Sequence, residues 1–280
     1  MPITPLHRGY PRRLVTWAAR VWAAWSLSRL AIPRFIARHH VALEETEGDW
    51  RHYRTLGDFF TRPLRSGVRP LDPRSDVVLS PCDGTLVASG AIVRQTLIQA
   101  KGVSYRLDQL LGDPGWSAHF EGGWYATLYL APGDYHRVHA PCTGSVTAWT
   151  RIPGTLYPVN AAARRRVPAL YIANERVVLL GRASFGPWAL VLVGAYRAGS
   201  VRLSFPAAPP APRHVRRVQR TVQDVPVTRG SEVARFAIGS TVIVLLPSAV
   251  VLAHTAPALD TRLRMGERLV QVGGERSPWA

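Results

Sequence analysis

Between Arg235 and Asp260 the chain carries no aspartate, glutamate, lysine or arginine. An uncharged stretch of that length belongs either in a membrane or inside a folded domain. Its composition separates the two. Gly239-Ser240-Thr241 and Pro247 interrupt the run, and valine and isoleucine dominate the rest, so it reads as two short buried strands around a Pro-Ser turn rather than a membrane helix. The same texture begins near residue 76. Short runs rich in Val, Leu, Ile and Thr, at 76–79, 85–88, 124–130, 145–150, 176–180, 188–194, 241–246 and 250–253, alternate with Gly/Pro turns. This predicts an α+β chain that is mainly β, with a sandwich- or barrel-like domain.

Two of the turns resemble each other. Ser80-Pro81-Cys82-Asp83-Gly84 and Ala140-Pro141-Cys142-Thr143-Gly144 both set Pro-Cys-x-Gly before a strand-like run. As a pseudo-duplicated turn-strand unit, the pair would bring Asp83 near the histidines of the second unit; chance similarity is the competing reading.

The polar tripeptide inside the apolar run has a chemical reading beside the bland one of a bulge or strand end. A serine that follows glycine can attack the preceding carbonyl, because glycine has no Cβ in the way. The acyl group moves from nitrogen to oxygen and β-elimination breaks the ester. Hydrolysis of the resulting dehydroalanine releases ammonia and leaves a pyruvoyl group.

The 280 residues suffice for a sizeable core in one or two domains. The net charge of +17 favours an anionic partner, either nucleic acid or an acidic membrane surface. All basic residues but Lys101 are arginine, which a GC-rich coding bias explains without function. Cys82 and Cys142 imply no disulfide framework, and a reducing compartment is expected. Arg12, Arg13, Arg20 and Arg29 break up the apolar core that a secretory signal needs. The first 40 residues have seven arginines, three histidines and no acid. Leu14, Trp17, Val21 and Trp25 recur there at helical spacing, a basic amphipathic pattern suited to a bilayer interface. Packing on the protein's own core is the alternative. Pro33 is expected to end or kink this helix, and residues 55–64 to form a short helix leading into a turn. Residues 206–213 read as a stiff connector.

Tyr135-His136-Arg137-Val138-His139-Ala140-Pro141-Cys142 is the densest chemical segment. If it is extended, His136 and His139 face opposite ways and have separate duties; if it turns, both could ligate one metal. Serine attack on Gly239 needs a base with a fixed tautomer, so an Asp–His–Ser arrangement suits the chemistry. Asp83 reads equally simply as a turn residue.

These motifs, taken in order, resemble the phosphatidylserine decarboxylase family, in its bacterial membrane-associated branch. The resemblance rests on Ser80-Pro-Cys-Asp83-Gly84, Gln99-Ala-Lys101-Gly102-Val-Ser-Tyr105 and Asp134-Tyr135-His136-Arg-Val-His139-Ala-Pro141. It continues in Asn174-Glu175-Arg176-Val177 and Phe236-Ala-Ile-Gly239-Ser240-Thr241-Val242-Ile243. Cys82, where alanine is expected, and Ala237, where a bulkier or basic residue is commoner, depart from the pattern without removing a reacting group.

The resemblance implies self-cleavage between Gly239 and Ser240 into a β chain, 1–239, and an α chain, 240–280. Asp83, His139 and Ser240 would form the processing triad, Ser240 would become the pyruvoyl cofactor, and His136 would serve decarboxylation. The implied reaction converts phosphatidylserine to phosphatidylethanolamine and CO2 through an imine, and needs no metal. Lys101 and Arg137 are candidates for holding phosphate or carboxylate, whereas Asn174, Glu175 and Arg176 are expected to fix a turn or ion pair. Residues 1–70 would form the membrane-binding helical region, and 71–280 the catalytic domain. The expected partners are phosphatidylserine and an anionic membrane surface, at the cytoplasmic face and held peripherally. Nucleic acid is not among them, and a homo-oligomer is compatible with the sequence. Two rival readings are a Cys/His metal protein using Cys82, Cys142, His136 and His139, and an arginine-rich nucleic-acid binder without enzymatic activity.

Overall fold

The computed structural model describes residues 26–100, 103–195, 201–205, 219–237, 240–248 and 251–273. Six α-helices are described: α1 (Ile32–His39), α2 (Leu56–Phe60), α3 (Leu107–Leu111), α4 (Pro114–Ala118), α5 (Ala161–Arg166) and α6 (Leu170–Ala173). The first strands are β1 (Val77–Leu79), β2 (Gly84–Ala91), β3 (Thr96–Ala100), β4 (Val103–Arg106), β5 (Trp124–Leu130), β6 (Arg137–His139), β7 (Gly144–Ile152), β8 (Arg176–Ala183) and β9 (Gly186–Gly194). The remainder are β10 (Val201–Leu203), β11 (Gln219–Val227), β12 (Glu232–Phe236), β13 (Ser240–Leu246), β14 (Val251–Leu252), β15 (Arg262–Leu263) and β16 (Arg268–Val272). The chain is mainly β, as its alternating texture predicts.

The largest sheet has the order β11-β7-β8-β9-β13-β5-β2-β15. Its central strand β13 explains the uncharged run. β13 is hydrogen-bonded to β5 on one side and β9 on the other, and each of its seven residues is buried. Successive side chains enter opposite faces, and both faces are covered, so neither has room for a charge. Val242, Val244 and Leu246 join a core shared with Leu128, Leu190 and Leu192. Ile243 and Leu245 join a second core with Tyr125, Val191 and Tyr171. The small sheets β1-β16-β14 and β10-β12-β6 contribute Val78, Val270, Val233 and Phe236 to the first core. The β3–β4 hairpin and α3, α4 and α6 contribute Leu97, Leu110, Trp116 and Leu170 to the second.

Beyond Pro247 the sequence reading needs correction. The second strand of the run, β14, is a two-residue edge strand in which Val251 is half-buried and Leu252 exposed. It pairs with β16 on one side only, so burial covers the first strand fully and the second in part.

The two Pro-Cys turns form a structural repeat. Leu79 N–H donates to the Pro141 carbonyl (2.9 Å), and His139 N–H donates to the Pro81 carbonyl (2.8 Å). Ser80 N–H bonds Glu267 O, and its counterpart Ala140 N–H bonds Ser231 O. In the same way, Gly266 N–H bonds Ser80 O and Gly230 N–H bonds Ala140 O. Even the side-chain contacts correspond: Asp83 Oδ1 accepts from Met265 N–H, and Thr143 Oγ1 accepts from Arg229 N–H. Both turns open a long strand at their glycine, β2 at Gly84 and β7 at Gly144.

Toward the N-terminus, α2 starts where the sequence places a short helix, with the Thr55 hydroxyl accepting from Asp58 N–H (3.0 Å). Pro33 lies in the first turn of α1, where its missing N–H costs no helical bond, just after a 3-10 helix over Ser26–Ala31; the helix it is expected to end or kink lies outside the described residues. The amphipathic pattern at 14–25, the 206–213 connector and Lys101 lie outside the described residues.

A Cβ at Gly144 would sit 2.0 Å from the Arg182 carbonyl oxygen of the neighbouring strand. Gly144→Ala is therefore expected to cost about 1–3 kcal/mol by overpacking. Urea denaturation in a Ser240→Ala background, which removes the hydroxyl expected to cut the chain, measures this; an unchanged midpoint would contradict the close strand approach.

Candidate active site

The connection 131–136, from β5 to β6, is fixed on every side. Asp134 folds it back, accepting Ala131 N–H at Oδ2 (2.7 Å) while its other oxygen pairs with Arg262. Gly133 lies against the end of α1, where a Cβ would come 2.3 Å from the His39 carbonyl oxygen. The guanidinium of Arg62 donates from Nη2 to the carbonyls of Gly133 (2.8 Å) and Asp134 (3.4 Å). This bracing delivers His136, whose own carbonyl accepts Phe236 N–H (3.0 Å) from the end of β12. Leu130, where the connection begins, pairs with Ser240, where β13 begins. His136 and Ser240 therefore sit at neighbouring connections between the same two sheets. Gly239 lies outside the described residues.

Ser240 is fully buried, and its Oγ has no hydrogen-bond partner among the described residues. His136 is also fully buried. Its Nδ1 lies 2.8 Å from the Asp134 carbonyl; a carbonyl only accepts, so Nδ1 carries the proton. The lone pair is then on Nε2, which has no partner among the described residues. The Phe60 ring packs on the imidazole at 4.0 Å between centroids. By the same reasoning His139 donates from Nδ1 to Gly230 O (2.8 Å), and its Nε2 accepts from the Tyr135 hydroxyl (3.0 Å). The two histidines thus hold different partners.

Asp83 is nearby but otherwise engaged. Arg69 clamps it with Nε on Oδ1 (3.0 Å) and Nη2 on Oδ2 (2.6 Å), and the same Nη2 reaches Glu45 (2.6 Å). Among the described residues no hydrogen bond joins Asp83 to His139 or His139 to Ser240. The Asp83 charge reaches His139 as a field.

Arg137 donates to Thr61 O (3.0 Å) and pairs with Glu232 (2.8 Å), bracing α2 against β12. Asn174 bonds Tyr157 and Gly194 main-chain groups, Glu175 pairs with Arg151, and buried Arg176 donates to the carbonyls of Gln109, Leu110, Ile172 and Asn174. Gln99 ties β3 to α5, to the turn after it and to the start of α6 through Arg164 O, Val167 O and Leu170 N–H. Cys82 and Cys142 are both free and buried, and burial pushes the Cys142 thiol up to about 12. No group of three or more His, Cys, Asp or Glu side chains among the described residues is arranged to hold a metal. Sequence reasoning missed Glu45, Phe60, Arg62 and Arg69. For Phe60, Arg62 and Arg69 the one signal was the cluster of aromatic and basic residues between 59 and 69, far from the histidine motif in sequence; for Glu45 it was the acidic stretch that follows the acid-free first 40 residues.

The profile of the phosphatidylserine decarboxylase family matches residues 56–271. A phosphatidylserine decarboxylase proenzyme of Anaeromyxobacter sp. (strain K) is 42% identical over 252 residues, covering 89% of this chain and 89% of the relative. The proenzyme of the same name from Azoarcus sp. (strain BH72) is 40% identical over 250 residues, 88% of this chain and 86% of its own length. The proenzyme from Klebsiella pneumoniae subsp. pneumoniae is 40% identical over 257 residues, 89% and 80% respectively.

Burial decides the protonation of the site. Desolvation lowers both histidines, and His136 falls from 6.5 to about 3 despite the opposing bond to the Asp134 carbonyl. Below 6.5 the unfolded chain takes up a proton that folded His136 refuses until about 3, so stability is lost as pH falls through that window. In a Ser240→Ala background, the drop in Tm from about pH 7 to about pH 5 should be smaller for His136→Gln than for the parent. Equal drops would mean that His136 is not held neutral by burial.

Proposed function

The chain belongs to the phosphatidylserine decarboxylase family, and on that premise we propose that it cuts itself between Gly239 and Ser240 and works through the pyruvoyl group so formed. Membership makes it a carboxy-lyase of phospholipid synthesis. Phosphatidylserine is the substrate, and phosphatidylethanolamine and carbon dioxide are the products. The observation that carries the self-processing reading is the buried Ser240 Oγ, which has no hydrogen-bond partner among the described residues and stands where β13 begins. Buried polar atoms are nearly always paired, and reacting atoms are an exception that function tolerates.

In the proposed processing, His139 takes the Ser240 hydroxyl proton as Oγ attacks the Gly239 carbonyl carbon. The Gly230 carbonyl fixes the tautomer that leaves the lone pair on Nε2, the Tyr135 hydroxyl must release that lone pair for it to take the proton, and the Asp83 charge favours the imidazolium that forms. The acyl group passes from nitrogen to oxygen. Loss of the Ser240 Cα proton then breaks the Cβ–Oγ bond and frees the Gly239 carboxylate, and water displaces ammonia from the remaining fragment. The buried start of β13 would hold the pyruvoyl group beside His136. That group supplies the electron sink that decarboxylation of an amine requires. His136 takes up a proton at Nε2 from the substrate's ammonium group and returns it to the carbon that loses carbon dioxide, with Nδ1–H anchored on Asp134 O; burial makes its imidazolium a ready donor. Phe60 keeps water from the imidazole.

Residues 1–70 are proposed to dock on an anionic membrane, leaving 71–280 as the catalytic domain with chains 1–239 and 240–280. Supporting this, Leu27 and Leu30 are 53% and 71% exposed beside exposed Arg29, Arg34 and Arg38. Each arginine near such a surface contributes about 1 kcal/mol. No described helix is long and apolar enough to cross a membrane, which agrees with peripheral attachment.

Ser240→Ala should remain one chain without activity, and Asp83→Asn should slow cutting. His136→Ala should cut but turn over phosphatidylserine at least about 100-fold more slowly. Chain splitting is read on denaturing gels and turnover from phosphatidylethanolamine formed. Efficient cutting of Ser240→Ala would remove the processing site, and full turnover by His136→Ala would remove that histidine from the chemistry.

A further inference from the structure

Arg62 is 3% exposed and has no carboxylate partner among the described residues. Its Nη2 is spent on the Gly133 and Asp134 carbonyls, while Nε and Nη1 are buried and have no partner among the described residues. Arg176 shows how this chain buries a guanidinium for structure alone: each of its nitrogens donates to a main-chain carbonyl. A buried cation left half-satisfied is costly unless an anion reaches it.

The position of Arg62 says which reaction that anion belongs to. Arg62 Nη2 and His136 Nδ1 donate to the same Asp134 carbonyl oxygen. Consecutive residues of α2 cover both groups: the Phe59 ring lies 5.1 Å from the guanidinium and the Phe60 ring packs on the imidazole. The guanidinium therefore flanks the histidine assigned above to decarboxylation.

We propose that Arg62 binds the phosphodiester of the phospholipid headgroup through Nε and Nη1. This inference rests on the proposed role of His136. The headgroup offers two anions, and the chemistry chooses between them. A cation on the carboxylate would stabilise the very charge that decarboxylation discharges, and so raise the barrier. The phosphodiester keeps its charge from substrate to product, so holding it improves binding in both states. Arg137 is tied to Glu232 and Thr61, which leaves Arg62 as the buried cation with donors to spare beside His136 among the described residues.

The test uses the self-cleaved enzyme and short-chain phosphatidylserine, with short-chain phosphatidylethanolamine as inhibitor because it retains the phosphodiester and lacks the carboxylate. Arg62→Met should split normally and raise KM at least about 10-fold, with kcat changed far less. The inhibition constant for phosphatidylethanolamine should rise in parallel, and Arg62→Lys should fall between Met and the parent. A kcat loss with unchanged product inhibition would overturn the assignment in favour of the carboxylate, and unchanged KM and inhibition would overturn it outright. A structure of the parent enzyme saturated with phosphatidylethanolamine tests the contact without a variant: phosphate oxygens should lie on Nε or Nη1, and a phosphate seated elsewhere contradicts the proposal. Full turnover by His136→Ala would withdraw the reading on which Arg62 depends, and is distinguishable because it leaves the Arg62 binding data standing.

Discussion

Two backbone hydrogen bonds, from Leu79 to the Pro141 carbonyl and from His139 to the Pro81 carbonyl, set the geometry on which the rest of the site is built. They lock two copies of one Pro-Cys-x-Gly turn back to back. Each turn launches a long strand of the main sheet, so the register of β2 and β7 and the position of His139 are fixed together. The repeat also shows where one copy has diverged. Thr143 caps the Arg229 N–H with one oxygen and has none left over, whereas Asp83 caps Met265 N–H and presents a second oxygen and a charge. That spare capacity draws in Arg69 and, through it, Glu45.

The second constraint is burial. A strand covered on both faces holds only apolar or small polar side chains, so the serine at its first residue is shielded from water and has few groups to bond. His136 pays for the same position with a depressed pKa. Bracing offsets the entropy of so constrained a site: Asp134, Gly133 and Arg62 hold the 131–136 connection, and α2 closes over it. The segment before residue 70 thereby contributes walls to the site, and residues 26–35 carry exposed apolar and basic side chains a short distance along the chain.

Much of this was legible in the sequence, for physical reasons. Strands such as β5, β9 and β13 announce themselves because burial on both faces demands unbroken apolar runs. The Pro-Cys echo was visible because a shared turn geometry asks for the same residues at the same offsets. His136 and His139 stood out as a dense polar cluster beside a turn. The β3–β4 hairpin and helices α3–α6 did not stand out, since elements of four to six residues leave too little periodicity to read. β14 was read as buried because hydropathy does not distinguish an edge strand from a central one. Arg62 and Arg69 were hidden for another reason. Asp83, which Arg69 clamps, lies 14 positions away and Asp134, which Arg62 holds, lies 72 positions away, and a buried arginine looks like a surface arginine until the fold closes around it.

Self-processing at the start of β13 is the claim from which cofactor, chain composition and the roles of both histidines follow. Intact mass spectrometry of the purified protein tests it most directly. The account predicts two chains, 1–239 ending in a free carboxyl group and 240–280 lighter by one ammonia than the peptide beginning with serine. A second chain that begins with an ordinary serine would mean simple hydrolysis, and a single active chain of full length would contradict the account.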